Sequence, residues 1–149
     1  MGTRHIQRVI TKAGQVKVAQ YGQWDGYPDG QGVDILEYLH NGNLDKYQEN
    51  LEKIPVVTEA QIVDVNKVNW QKEYPYLSRD CGSNIHQMIE NGEVKFVQLT
   101  TDKEATQWCE GFYEINFQEG FFEAEYYGTL KRYQLDNLPT KEQFLKDFV

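Results

Sequence analysis

Cysteine is scarce in this chain, with only Cys81 and Cys109 among 149 residues. At most one disulfide can form, and without a secretory leader both are expected as reduced, buried thiols. Long apolar runs are missing too: nothing approaches the roughly 18 consecutive apolar residues that a membrane-spanning helix needs, and the mean hydropathy is −0.70. Met1-Gly2-Thr3-Arg4-His5-Ile6 is basic but lacks the apolar stretch of a signal peptide, and it places Ile6 where myristoylation requires Ser or Thr. A cytoplasmic protein with no membrane contact is expected. Basic residues are outnumbered, 15 Lys and Arg against 23 Asp and Glu, for a net charge of −8. Such an excess repels phosphate backbones, so direct nucleic-acid binding is not expected.

The motifs of familiar chemistry are also absent. His5, His40 and His86 are far apart and neither cysteine has a CxxC neighbour, so no transition-metal site is expected. Asp25, Asp29, Gly30 and Asp34 resemble a calcium loop only in outline, because Tyr27 and Leu36 occupy positions that need oxygen ligands. The glycines between Gly26 and Gly32 lack the lysine and spacing of phosphate loops, so no cofactor is expected. Two candidate nucleophiles are present: Cys81, with Arg79 nearby and a helix start expected at Ser83, whose competing reading is a packed core thiol, and Thr3, which is worse placed because Gly2 becomes the first residue when Met1 is removed.

The chain does carry clear patterns. Thr3 to Lys12 and Gln15 to Tyr21 read as a hairpin about Ala13-Gly14, with Ile6, Ile10, Val16 and Val18 facing inward. Helices are expected over Val33 to His40, after an Asn43 cap with Leu44, Tyr47 and Leu51 on one face, from Thr58 towards Trp70 with Ile62, Val65 and Val68, and after Ser83 with Ile85, Met88 and Ile89. Val94 to Thr100, Cys109 to Phe117, Phe121 to Tyr127 and Thr129 to Leu135 read as strands, and Thr140 with Gln143 opens a last helix bearing Phe144, Leu145 and Phe148. This order predicts one α+β domain over residues 1–149, a largely antiparallel sheet with helices packed on one face. Its expected core is Ile6, Ile10, Val16, Val18, Leu36, Leu39, Ile62, Ile85, Ile89, Phe96, Tyr113, Ile115, Phe144 and Phe148.

Three features suggest binding. Residues 1 to 24 carry Arg4, Arg8, Lys12 and Lys17 and no acid, whereas 110 to 128 carry Glu110, Glu114, Glu119, Glu123 and Glu125 and no base. Either the two regions lie side by side and cancel, or Glu114, Glu123 and Glu125 form an acidic face for a basic partner. The segment from Trp24 to Gly32, rich in glycine and aspartate, cannot be regular structure; Trp24 and Tyr27 in it are either a recognition site or a structural pin. A second irregular segment, Leu77 to Gly82, can meet it and form a pocket from Arg4, His5, Trp24, Asp25, Tyr27, Asp29, Arg79 and Asp80.

Gly2-Thr3-Arg4, together with Tyr21-Gly22-Gln23-Trp24-Asp25-Gly26-Tyr27-Pro28-Asp29-Gly30-Gln31-Gly32, resembles a group of small uncharacterised bacterial and phage proteins. Leu77 to Gly82 and Trp108 to Tyr113 fit the same group more loosely, and Gln23 stands where such proteins often have histidine. The resemblance implies a shared fold and a phage-associated origin rather than a reaction. Two functions follow as expectations: a non-catalytic acidic binding protein, a phage or prophage accessory factor that inhibits a host defence protein in the manner of anti-CRISPR proteins by covering its basic surface, or a small enzyme or ligand-binding domain built on the two irregular segments.

Overall fold

The computed structural model describes residues 2–57, 74–99 and 109–149. The helix expected after Thr58, with Ile62 in the core, lies outside them. The first hairpin forms as its β-rich runs require: β1 (His5–Ile10) pairs antiparallel with β2 (Val16–Gly22), and the turn passes through Gly14 at a φ of 89°. Helices α1 (Val33–Asn41) and α2 (Leu44–Lys53) follow, then α3 (Asn84–Glu90). Strands β3 (Gly111–Asn116), β4 (Phe121–Tyr126) and β5 (Thr129–Gln134) make a meander, and α4 (Lys141–Lys146) closes the described chain. Side chains start two of these helices: Asn43 accepts from the Lys46 amide at 3.1 Å and Thr140 from the Gln143 amide at 3.2 Å. Ser83 stands before α3 but makes no such cap; its own amide donates to Gln31 Oε1 at 2.8 Å.

The five strands form one sheet in the order β2-β1-β3-β4-β5. Every neighbouring pair is antiparallel except β1 and β3, which run parallel with His5 opposite Gly111 and Ile10 opposite Asn116. The architecture is the α+β domain expected. Val94 to Thr100 differs: its described part contributes only an isolated bridge, Val97 with Val56.

Residues paired across strands share a face, and successive residues alternate. One face joins Val9, Val18, Tyr113, Ile115, Phe122 and Ala124 to the helices, in a buried cluster with Leu36 and Leu39 of α1, Tyr47 and Leu51 of α2, Ile85 and Ile89 of α3 and Phe144 of α4. The expected inward face of β1 is therefore wrong by one residue. Ile6 is buried but on the opposite face, alongside Arg8 and the half-buried Ile10, while His5, Gln7 and Val9 point to the helices. A one-residue register choice exchanges faces, and Gln7 is acceptable on the buried one because His86 of α3 hydrogen-bonds it. Gln7 Oε1 lies 2.7 Å from His86 Nε2, and Tyr47 Oη lies 3.0 Å from His86 Nδ1. An amide oxygen can only accept, so Nε2 carries the proton and Nδ1 accepts from the tyrosine. Val16, Phe96 and Phe148 are half-buried rather than core.

Candidate functional site

The segment expected to be irregular is half so: Trp24 to Tyr27 is a loop, but Pro28–Gly32 winds a π-helical turn that runs directly into α1. Proline can open such a turn because its missing N–H needs no acceptor there. Asp25 adopts a left-handed φ of 58°, its carbonyl accepting from the Gln31 amide at 2.8 Å. The loop is fixed to the sheet by Gly26, whose amide donates to the Thr3 carbonyl at 2.9 Å and whose carbonyl accepts from Tyr113 Oη at 2.7 Å. A Cβ on Gly111 would collide with that carbonyl, so glycine is what lets loop and strand approach.

The two irregular segments touch. Trp24 Nε1 donates to Asp80 Oδ1 at 2.5 Å, and the Gln23 amide donates to the Arg79 carbonyl at 3.0 Å. Gln31 reinforces the junction, donating to the Trp24 carbonyl at 3.3 Å while accepting from the Ser83 amide. Trp24 nevertheless stays 46% exposed, so its indole N–H ties the segments together while its ring faces outward. The Asp25 carboxylate accepts from Tyr27 Oη at 3.1 Å rather than from backbone amides or an arginine, and this bond raises the Tyr27 pKa. Asp29, Arg79 and Asp80 are exposed.

His5 stands behind this loop, 1% exposed, with neither ring nitrogen hydrogen-bonded. Its ring is wedged against Gly22, where any Cβ would strike Nε2, and meets Tyr113 edge-on at 6.3 Å between centroids. Burial lowers its pKa to about 4, against a smaller upward pull from Asp25. It is a neutral, enclosed imidazole at physiological pH.

Arg4 joins the loop to the acidic strands. Its amide and guanidinium both reach the Glu110 carboxylate, at 2.7 and 3.0 Å. Burial pushes the Glu110 carboxyl up, but the hydrogen bonds from Arg4 outweigh it and leave the group below its ordinary value. Glu114 pairs with Arg8 at 3.6 Å and Glu123 with Arg132 at 2.7 Å, all on the face away from the helix-packed cluster. The parallel contact of β1 with β3 therefore sets two arginines of the basic region, Arg4 and Arg8, against two glutamates of the acidic one, Glu110 and Glu114. Glu125 differs, sitting between Phe112 and Leu130 with no ion pair or hydrogen bond among the described residues.

A groove of about 330 Å³ opens at this end of the sheet, lined by Arg4, Cys109, Glu110, Phe112, Glu125, Tyr127 and Gly128. The sequence singles out Arg4 and Glu125, counts Glu110 in the acidic stretch and places Tyr127 among the tyrosines beside it as a candidate acidic aromatic face, but does not point to Phe112. The signal for Tyr127 was available, since Tyr-Gly stands where a two-residue hairpin turn favours Asn-Gly. Burial pushes the thiols of both Cys81 and Cys109 up to about 11, and Cys81 Sγ contacts Met88 Sδ at 3.9 Å. Neither has the thiolate character of a nucleophile at neutral pH. No three His, Cys, Asp or Glu side chains among the described residues are grouped to hold a metal ion, and no described helix is long and apolar enough to cross a membrane. Neither a protein-family model, nor a curated protein, nor a solved structure matches this chain.

Proposed function

We propose that this chain is a non-catalytic binding protein that engages a basic protein surface through the end of the sheet bearing Glu125, the Trp24 to Gly32 loop and the β4–β5 turn. The observation that carries the reading is the concentration of unneutralised acid and exposed aromatic surface at that end. Asp25 and Asp29 are exposed in the loop, Glu125 lines the groove, and Trp24, Tyr27 and Tyr127 are 46%, 37% and 73% exposed. Aromatic rings beside carboxylates suit recognition of cationic side chains. Two of the three histidines and both thiols support the non-catalytic part, since burial holds His5 and His86 at about 4 and about 3 and both cysteines at about 11, away from the range useful for proton transfer at neutral pH. In this reading the protein is a phage or prophage accessory factor acting in the cytoplasm, and its partner is a host defence protein whose basic surface it covers.

The test uses the whole chain as bait in host lysate at low and high salt, followed by association kinetics on the captured protein. The wild-type on-rate should fall steeply as salt rises, and joint replacement of Glu114, Glu123 and Glu125 by Gln should slow it by about tenfold without loss of fold. A salt-independent on-rate overturns the reading. The contact between Trp24 and Asp80 favours a second one, a small-ligand site or small enzyme on the two irregular segments. Quenching of Trp24 fluorescence by a small molecule, lost in Asp80→Asn, would support it.

A further inference from the structure

The β4–β5 connection holds a residue that its turn does not favour. Tyr126 pairs with Thr129, so Tyr127 and Gly128 alone make the turn, at φ values of 46° and 82°. Such turns need positive φ at both positions, which glycine and asparagine accept and a bulky aromatic resists. Tyr127 is strained there, and burial does not compensate it, because the side chain is 73% exposed and its described ring contact is an edge-on one with Tyr126 at 4.7 Å. Strain held at an exposed aromatic points to use of the ring.

The groove beneath that ring has a definite chemical character. Arg4 is already held by Glu110 through two hydrogen bonds, which leaves Glu125 as the groove's carboxylate without a counter-ion among the described residues. Strand register gives Glu114 and Glu123 an arginine each but gives Glu125 only Phe112 and Leu130 as cross-strand neighbours. A volume of about 330 Å³ lies at the bottom of the range of about 300 to 1,000 Å³ for small-molecule pockets, a size for one long side chain. Two carboxylates against one cation, with aromatic walls, select a cation that can both stack and hydrogen-bond in a plane. A guanidinium does both, whereas an ammonium offers only a point charge.

Resting on the proposed binding of a basic surface, we propose that this groove is the anchor for an arginine side chain of the protein partner, its guanidinium paired with Glu125 and stacked on Tyr127.

The probe is a blocked glycine-serine peptide with one central arginine, titrated into the labelled full chain and followed by amide NMR shifts, with lysine and citrulline versions as controls. The arginine peptide should shift the amides of Glu110 and of Glu125 through Gly128 saturably, the lysine peptide should bind several-fold more weakly, and the citrulline peptide should not saturate. Glu125→Gln should weaken the arginine peptide about tenfold. Tyr127→Asn should weaken it about threefold while raising Tm by about 3 °C, because it removes the ring and relieves the turn. Shifts scattered over the surface, equal affinity for arginine and lysine, or indifference to Glu125→Gln would overturn the anchor. If salt-sensitive association with the partner persists unchanged in both variants, the anchor falls and the binding function stands. If the peptide fills the groove but no salt-sensitive association exists, the function falls and the arginine site stands.

Discussion

The two faces of the sheet handle polar groups by different means. On the face packed against the helices, each buried polar side chain has a specific partner, as Gln7, His86 and Tyr47 do, or is walled in, as His5 is. On the other face arginines and glutamates meet across neighbouring strands, half in water. Unpaired groups cost most where water is excluded, so the first face specifies the fold tightly, whereas the second can vary its charges at small expense and is free to carry recognition.

The sharpest contrast is expected from two phenylalanines on neighbouring strands. Phe122→Ala removes a fully buried ring that packs on Tyr133 and Phe144, and should cost about 3 to 5 kcal/mol in urea unfolding. Phe112→Ala, half-buried on the other face, should cost less than half of that; equal losses would erase the distinction between the faces.

Acid should break the helix-packed face first. His5 and His86 have folded pKa values of about 4 and about 3, below the ordinary 6.5, because burial disfavours their charged forms. The unfolded chain takes up those protons first, so stability is full above about pH 6.5 and declines as pH falls towards 4, by about 3 kcal/mol for His5 alone. Glu90 and Glu110, whose pKa values are lowered, lose their stabilising charge only below the ordinary carboxylate value, and Asp34, whose pKa burial raises, acts in the opposite sense as it takes up its proton, so a net loss between pH 6.5 and 5 reports the histidines. A flat urea midpoint across that window would contradict the enclosed, neutral state of both rings.

Trp24→Phe should cost about 1 kcal/mol, since it deletes the hydrogen bond to Asp80 but leaves a half-exposed ring in place. A loss of about 4 kcal/mol would mean that the indole is a core element after all. The smallest effects belong to the ion pairs. A double-mutant cycle on Arg132 and Glu123 should give roughly 0.5 to 1 kcal/mol and one on Arg8 and Glu114 less, because Arg132 donates twice to one carboxylate oxygen and lies 3.9 Å over Phe121. The reverse order would show that geometry across this face does not set the energies.

Local signals in the sequence read well because they depend on a few adjacent residues. The caps at Asn43 and Thr140, the Gly14 turn and the alternation from Gly111 to Asn116 all formed. The face of β1 was misread because Ile6 and Ile10 look more like core than His5 and Gln7, and only the distant Tyr47 and His86 make a buried Gln7 acceptable. Cancellation between arginines and glutamates was an open alternative until pairing of β1 with β3 aligned them. Of the site, the irregularity of the Trp24 loop is legible from its composition, whereas its meeting with Leu77 to Gly82 stands in the sequence only as one alternative and the bond from Trp24 to Asp80 comes from the fold. The groove was not, because Arg4, Phe112 and Glu125 come from three strands whose adjacency no short window encodes.

That same parallel pairing has a consequence for biosynthesis. β1 occupies an inner position in the sheet, yet the contact of Arg4 with Glu110 spans 106 residues. At ordinary translation speeds β1 emerges on the order of 5 to 20 seconds before its inner neighbour does. During that interval the hairpin of β1 and β2 exposes an unsatisfied edge carrying Ile6 and Val9, a surface open to mispairing with other nascent chains. The yield of folded protein should therefore respond to synonymous codon changes that slow the segment between β2 and β3, although the protein sequence stays the same.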